Sequence, residues 1–303
     1  GAWTSRMKRW NWVRRLRPRA GSGAPRRRAH RLPADRGVDR ERVGAGTGAE
    51  IGHLARRFPR WTFLALDPST QMIAACRERA VREGFFEVWR RFEADGQAQV
   101  AILTGAGDNF CAGMDLVEAA DTQLRIPPAG FIAVLGDNIE VTKPVIAAVQ
   151  GYAYAGGWLL SQMCDLCVAD QTAKFAITEA KVGRGMPWAS PVIHMLPQRI
   201  LMEVAMTGDP LTAQRAYELG YINRLMPKGQ ALQGAKELAA RLMANAPLTV
   251  RAAKEMVRLS TEMGRTAALR ASNRAFDAVY LSEDALEGPQ SFREKRKPVW
   301  KGR

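Results

Sequence analysis

The stretch "GYAYAGGWLL", residues 151–160, decides how the chain is read. It follows the apolar run "PVIAAVQ" and leads into a long apolar helical pattern, so Gly156 and Gly157 stand at a strand-to-helix turn. Bare backbone there permits close approach and an unusual φ. The preceding unit repeats the logic: a helix over roughly 72–94, with Phe85, Val88, Trp89 and Phe92 at helical spacing, leads to the buried strand "VAILTG" (100–105) and a second glycine-rich loop, "GAGDNFCAGMDL" (105–116). Continuous apolar strands alternating with helices predict an α/β fold with a parallel sheet. Two glycine loops at the carboxyl ends of neighbouring strands can turn backbone N–H groups toward one oxygen and stabilise charge developing on a carbonyl.

The chain has 303 residues, 47% of them hydrophobic, enough for a sizeable core. The net charge of +15 is concentrated: residues 1–42 carry thirteen Arg and one Lys against Asp35, Asp39 and Glu41, a net of +11. This arm lacks apolar periodicity and reads as a disordered basic tail. Its arginines could neutralise phosphates, which makes nucleic-acid binding a secondary reading. No apolar run is long enough to span a membrane and no signal-peptide pattern appears, so the expected location is cytoplasmic. Cys76, Cys111, Cys164 and Cys167 are scattered through apolar segments and are expected to be buried thiols, not a disulfide framework or a metal site.

Gly44, Gly46 and Gly48 open a separate pattern. Glycine loop, helix and the strand "WTFLALD" ending at Asp67 resemble a fragment, residues 43–80, of a class I S-adenosylmethionine-dependent methyltransferase. The residues before the loop, "GVDRER", are too charged for the central strand that such a loop needs. Residues 61–67 are instead expected to lie parallel to residues 99–104 and to join the following sheet, since the intervening chain is long enough for a right-handed crossover.

"GAGDNFCAGMDL", "VQGYAYAGGWLLSQMCDLCVA", "KFAITEAKVGRG", "MTGDPLTAQRAYELGYINRLMP" and the ending "FREKRKPVWKGR" together resemble the enoyl-CoA hydratase/isomerase, or crotonase, superfamily over residues 84–303. The resemblance implies a spiral of ββα units with a core at 84–248 and a helical C-terminal region at 249–303, behind the arm (1–42) and the fragment (43–83), assembled as a homotrimer or hexamer. It implies an acyl-CoA thioester substrate with no cofactor beyond the coenzyme A of the substrate. An oxyanion hole would form from the N–H groups of Met114 and Gly156, with Ala112, Gly113 and Gly157 in the same loops. Hydratases of the family use two glutamates; the first position is Leu159 here and the second is Glu179. A lone carboxylate suits a proton shuttle on a thioester enolate better than hydration. Trp188 is expected to line an acyl pocket or belong to the core, and Phe292 and Lys295 resemble positions that contact coenzyme A, often across a subunit boundary. Asp115 reads as a helix N-cap. Competing readings are a crotonase-fold fusion product with impaired catalysis, nucleic-acid binding through the arm, and a methyltransferase.

Overall fold

The computed structural model describes residues 62–66 and 79–303. The basic arm, the glycines at 44–48 and Cys76 lie outside the described residues. A five-stranded sheet is entirely parallel, in the order β1-β2-β3-β5-β8, from β1 (Thr62–Leu66), β2 (Ala101–Gly105), β3 (Val145–Val149), β5 (Leu166–Asp170) and β8 (Arg224–Met226). The parallel pairing expected for residues 61–67 is found for Thr62–Leu66, with Thr62 opposite Ala101 and Leu66 opposite Gly105. A smaller sheet joins β4 (Tyr152–Tyr154) in parallel to β6 (Lys174–Ala176), which pairs antiparallel with β7 (Leu211–Thr212).

Side-chain alternation along the strands builds two cores. Ile102, Ile146, Ala148 and Val168 face the small residues Ala231, Ala235 and Ala239 of a helix spanning Ala231–Met243. Leu103, Val145, Ala147 and Val149 face the larger core, where Trp158, Phe175 and Tyr221 meet edge to face with ring centroids 5.1–5.7 Å apart. All five residues of β3 are buried, which explains why its sequence shows no polar alternation.

Among the described residues the α-helices are, in chain order, α1 (Arg79–Ala94), α2 (Leu116–Asp121), α3 (Gly156–Gln162), α4 (Gln198–Thr207), α5 (Ala213–Glu218), α6 (Ala231–Met243), α7 (Pro247–Glu262), α8 (Arg265–Tyr280) and α9 (Glu283–Arg293). Helix α1 docks through Trp89 and Phe92, and the buried Lys143 ammonium holds its end by donating to the carbonyls of Phe92 and Asp95, both at 2.6 Å. Phe92 O is a carbonyl that the helix end leaves without an intrahelical partner, and Asp95 O also accepts from Ala98 N–H at 3.1 Å. At the C-terminus, Asp284 accepts from the N–H groups of Lys301 and Gly302 at 2.7 and 2.9 Å, folding the tail back onto α9.

Candidate active site

The loops after β2 and β3 are clasped together by backbone. Phe110 N–H donates to Gln150 O at 2.8 Å, Cys111 N–H to Tyr152 O at 2.8 Å, and Tyr154 N–H returns to Cys111 O at 2.9 Å. Asn109 adds its side chain, accepting from Tyr152 N–H at 3.0 Å. Residues 110–111 are thereby annealed to β4, and the next residues are brought against the start of α3.

Two glycines permit this contact. At Gly113 φ is +92°, and a Cβ there would lie 2.9 Å from Tyr154 O and 3.4 Å from Gly156 N. At Gly157 a Cβ would lie 2.1 Å from Cys111 O. The unusual backbone angle in the "AGG" turn belongs to neither of its glycines. Ala155 takes it, with φ 50° and ψ −119°, while Gly156 and Gly157 have ordinary φ and serve close approach. A non-glycine residue in that region costs about 1–3 kcal/mol and persists only where its surroundings over-determine it. Here they do: Ala155 N–H donates to Ala176 O at 2.8 Å, and Ala155 O accepts from Trp158 and Leu159 N–H at 2.9 and 3.2 Å.

Gly156 is the first residue of α3, where a backbone N–H has no partner within the helix. Among the described residues neither Gly156 N–H nor Met114 N–H donates a hydrogen bond. Ala112 is exposed and Met114 half-buried, whereas Gly113 and Gly157 are buried. Asp115 steadies the end of the loop, its Oδ1 accepting from Val117 N–H at 2.9 Å as an N-cap of α2. Asp115→Ala is expected to lower unfolding free energy by about 0.5–2 kcal/mol, measured by urea titration.

Glu179 sits in a short 3₁₀ turn, Thr178–Val182, and is only 7% exposed. Its Oε1 accepts from Trp188 Nε1–H at 3.0 Å, and its Oε2 is buried without a hydrogen-bond partner among the described residues. Burial raises the pKa of this carboxyl above its ordinary value, opposed by hydrogen bonds from its own N–H and from Trp188. The charged side chains of the same loop are engaged elsewhere: Lys181 pairs with Asp209 at 2.8 Å, and Arg184 donates to Leu124 O at 2.5 Å. Glu179 is therefore a desolvated carboxyl with one bare oxygen, a combination concentrated at functional sites.

Leu159 is buried on α3 at 8% exposure, so an apolar side chain stands where the two-acid pattern would put a carboxylate. Trp188 is half-buried and is the direct partner of Glu179, a role its sequence context does not disclose. Phe292 is 87% exposed on α9, and Lys295 follows that helix with φ 54°. Neither makes a hydrogen bond or ring contact with the loops around Glu179 among the described residues. Sequence reasoning missed Gln162, the last residue of α3, whose Nε2 donates to Trp188 O at 2.5 Å. The available signal was a long polar side chain in the apolar run "WLLSQM". Cys111, Cys164 and Cys167 are buried and form no disulfide among the described residues, and burial pushes the Cys167 thiol up to about 12. Among the described residues no cluster of His, Cys, Asp or Glu is placed to hold a metal ion, and no helix is long and apolar enough to cross a membrane.

The family model for enoyl-CoA hydratase/isomerase matches residues 75–303. The chain belongs to the enoyl-CoA hydratase/isomerase family. Carnitinyl-CoA dehydratase of Salmonella heidelberg is 38% identical over 266 residues, covering 84% of this chain and 100% of that protein. The crystal structure of enoyl-CoA hydratase from Mycobacterium tuberculosis H37Rv superposes with a TM-score of 0.67 at 38% identity, over 74% of this chain and 89% of that one. Enoyl-CoA hydratase EchA1 from Mycobacterium marinum gives a TM-score of 0.71 at 35% identity, over 80% and 96%. This member of the enoyl-CoA hydratase/isomerase family thus has the crotonase-like α/β fold and is an enzyme of that type. The methyltransferase resemblance is not supported. A contiguous match over 84% of the chain leaves 16% outside it, less than residues 1–83 make up, so it extends into residues 43–83, and the family model itself starts within that segment at residue 75.

Proposed function

We propose that this enzyme acts on an acyl-CoA thioester, holding an enolate oxygen between the N–H groups of Met114 and Gly156 and moving the proton with Glu179 alone. The observation that carries this reading is the bare, buried Oε2 of Glu179 in a loop system where Leu159 supplies no second carboxylate. A 3-enoyl-CoA fits a single acid. The Glu179 carboxylate removes a C2 proton, the electron pair moves onto the thioester oxygen, and the two N–H groups stabilise it. The carboxylic acid then returns the proton to C4 as the carbonyl re-forms, giving the 2-enoyl-CoA. Ala112, Gly113 and Gly157 would shape the loops around the thioester and Trp188 a wall beside the acyl group. Phe292 and Lys295 would meet coenzyme A from a neighbouring subunit of a homotrimer or hexamer, which suits the outward position of Phe292.

The likeness to carnitinyl-CoA dehydratases favours a second reading, dehydration of a 3-hydroxyacyl-CoA. The same carboxyl would take the C2 proton and deliver it to the departing hydroxide as water. Incubation of 3-enoyl-CoA, a 3-hydroxyacyl-CoA and crotonyl-CoA in D2O, followed by mass spectrometry, separates the routes. Isomerisation faster than crotonyl-CoA hydration, with part of the C2 protium recovered at C4, is expected from a carboxyl shielded from solvent. Faster exchange of water with the 2-enoyl and 3-hydroxyacyl thioesters would replace the shuttle by the dehydratase reading. Turnover of none of the three would sink both.

A further inference from the structure

Gln162 is 6% exposed, and the structure gives its amide one engagement: Nε2–H donates to Trp188 O, while Oε1 is buried with no hydrogen-bond partner among the described residues. A buried amide that uses only its donor is retained at a cost, because an unsatisfied buried acceptor loses its hydration without compensation. Its one bond joins two segments of the site. Gln162 ends the helix that Gly156 begins, and Trp188 is the residue whose indole donates to Glu179 at 3.0 Å. A single line therefore runs from the N–H of Gly156, along seven residues of α3, through the Gln162 amide to the main-chain carbonyl of Trp188, and from that residue's indole to the carboxyl of Glu179. Trp188 itself lies early in a 3₁₀ segment, Pro187–His194, that follows the turn at Gly183, and the link from Gln162 fixes where this loop lies against α3.

We propose that Gln162 is a positioning residue that sets the Glu179 carboxyl relative to the N–H of Gly156 by holding Trp188. This rests on the role proposed above for Glu179. The two ends must stay in register with one substrate, since the thioester oxygen and the carbon losing its proton are separated by fixed covalent geometry. Small misplacements of such a pair cost rate and leave binding nearly intact. Oε1 is tied to the ring and Oε2 is bare, so a shift of the Trp188 main chain, which Gln162 holds, would carry the indole off Oε1 and let the carboxyl rotate.

The test is Gln162→Met, which keeps the length and fills the same volume while removing both the donor and the unpartnered acceptor. Thermal unfolding is expected to change by only a few degrees. On an enoyl-CoA substrate kcat is expected to fall about 10- to 100-fold with KM within about twofold. Trp188→Phe should give a similar loss, and the double variant no further loss, because both substitutions break one line. A readout independent of turnover is the indole N–H resonance of Trp188, assigned by its disappearance in Trp188→Phe. In the unsubstituted protein it should move with pH as Glu179 titrates, and in Gln162→Met that movement should shrink. Unchanged kcat together with an unchanged indole titration would overturn the proposal, as would losses that multiply in the double variant. If Glu179→Gln retains full activity, the assigned acid is wrong; the indole titration in Gln162→Met then still decides whether Gln162 sets the Trp188–Glu179 contact.

Discussion

Glu179→Gln is expected to lower kcat/KM on enoyl-CoA by about 10²- to 10⁴-fold, the range that a positioned general acid–base contributes. The amide oxygen can still accept from Trp188 Nε1–H, so the loop geometry is preserved while the proton acceptor is lost. Binding of a thioester that cannot react should persist, since the N–H groups of Met114 and Gly156 are untouched. The pH profile gives an independent check. Because burial raises the pKa of Glu179, the acidic limb of kcat/KM should lie above the ordinary carboxyl range, activity falling as pH drops through the raised value. Stability follows the opposite course. A carboxyl whose folded pKa exceeds its unfolded one stabilises the fold below the unfolded value, and that contribution is lost as pH rises through the folded one. At neutral pH the Gln variant, free of a buried carboxylate, should therefore unfold at a temperature equal to or above that of the parent. Full activity in Glu179→Gln, or a profile flat through the acidic range, would remove Glu179 from the chemistry.

Gly157→Ala is expected to reduce kcat/KM by about 10²- to 10³-fold, the loss that accompanies removal of one oxyanion donor. The added Cβ would meet backbone atoms, with Cys111 O at 2.1 Å and Cys111 C at 2.9 Å, so no side-chain rotation can relieve it. Cys111 O cannot yield easily, because it also accepts from Tyr154 N–H at 2.9 Å. The relief left is to push α3 away from residues 111–113, which carries the N–H of Gly156 away from that of Met114. Overpacking of this kind destabilises by roughly 1–3 kcal/mol as well. Gly84→Ala is the control: it lies in α1 with nothing within 4 Å of the new Cβ, so it should leave activity intact and stabilise the helix slightly. Equal activity of Gly157→Ala and the parent would show that the two loops need not touch.

The amino-acid sequence by itself determined the parallel sheet and the family to which the chain belongs. "VAILTG" and "PVIAAV" are apolar throughout because strands buried on both faces require it, and such runs are readable without coordinates. The glycine loops were legible for a related reason: a Cβ at Gly113 or Gly157 meets backbone, so the residue type records the contact even though the partner is unnamed. Leu159 likewise places an apolar side chain at its position by residue type alone. Tertiary structure alone decided what lies beside what. The indole of Trp188 is nine residues from Glu179 and Gln162 is 26 from Trp188, and nothing in composition or spacing pairs them. Within the "AGG" turn the positive φ fell on Ala155, not on Gly156 or Gly157, because the hydrogen bonds to Ala176, Trp158 and Leu159 hold that residue in a conformation its own side chain disfavours. Local sequence encodes burial and backbone freedom; the desolvation that raises the pKa of Glu179 and leaves Oε2 bare arises only when distant segments close around it.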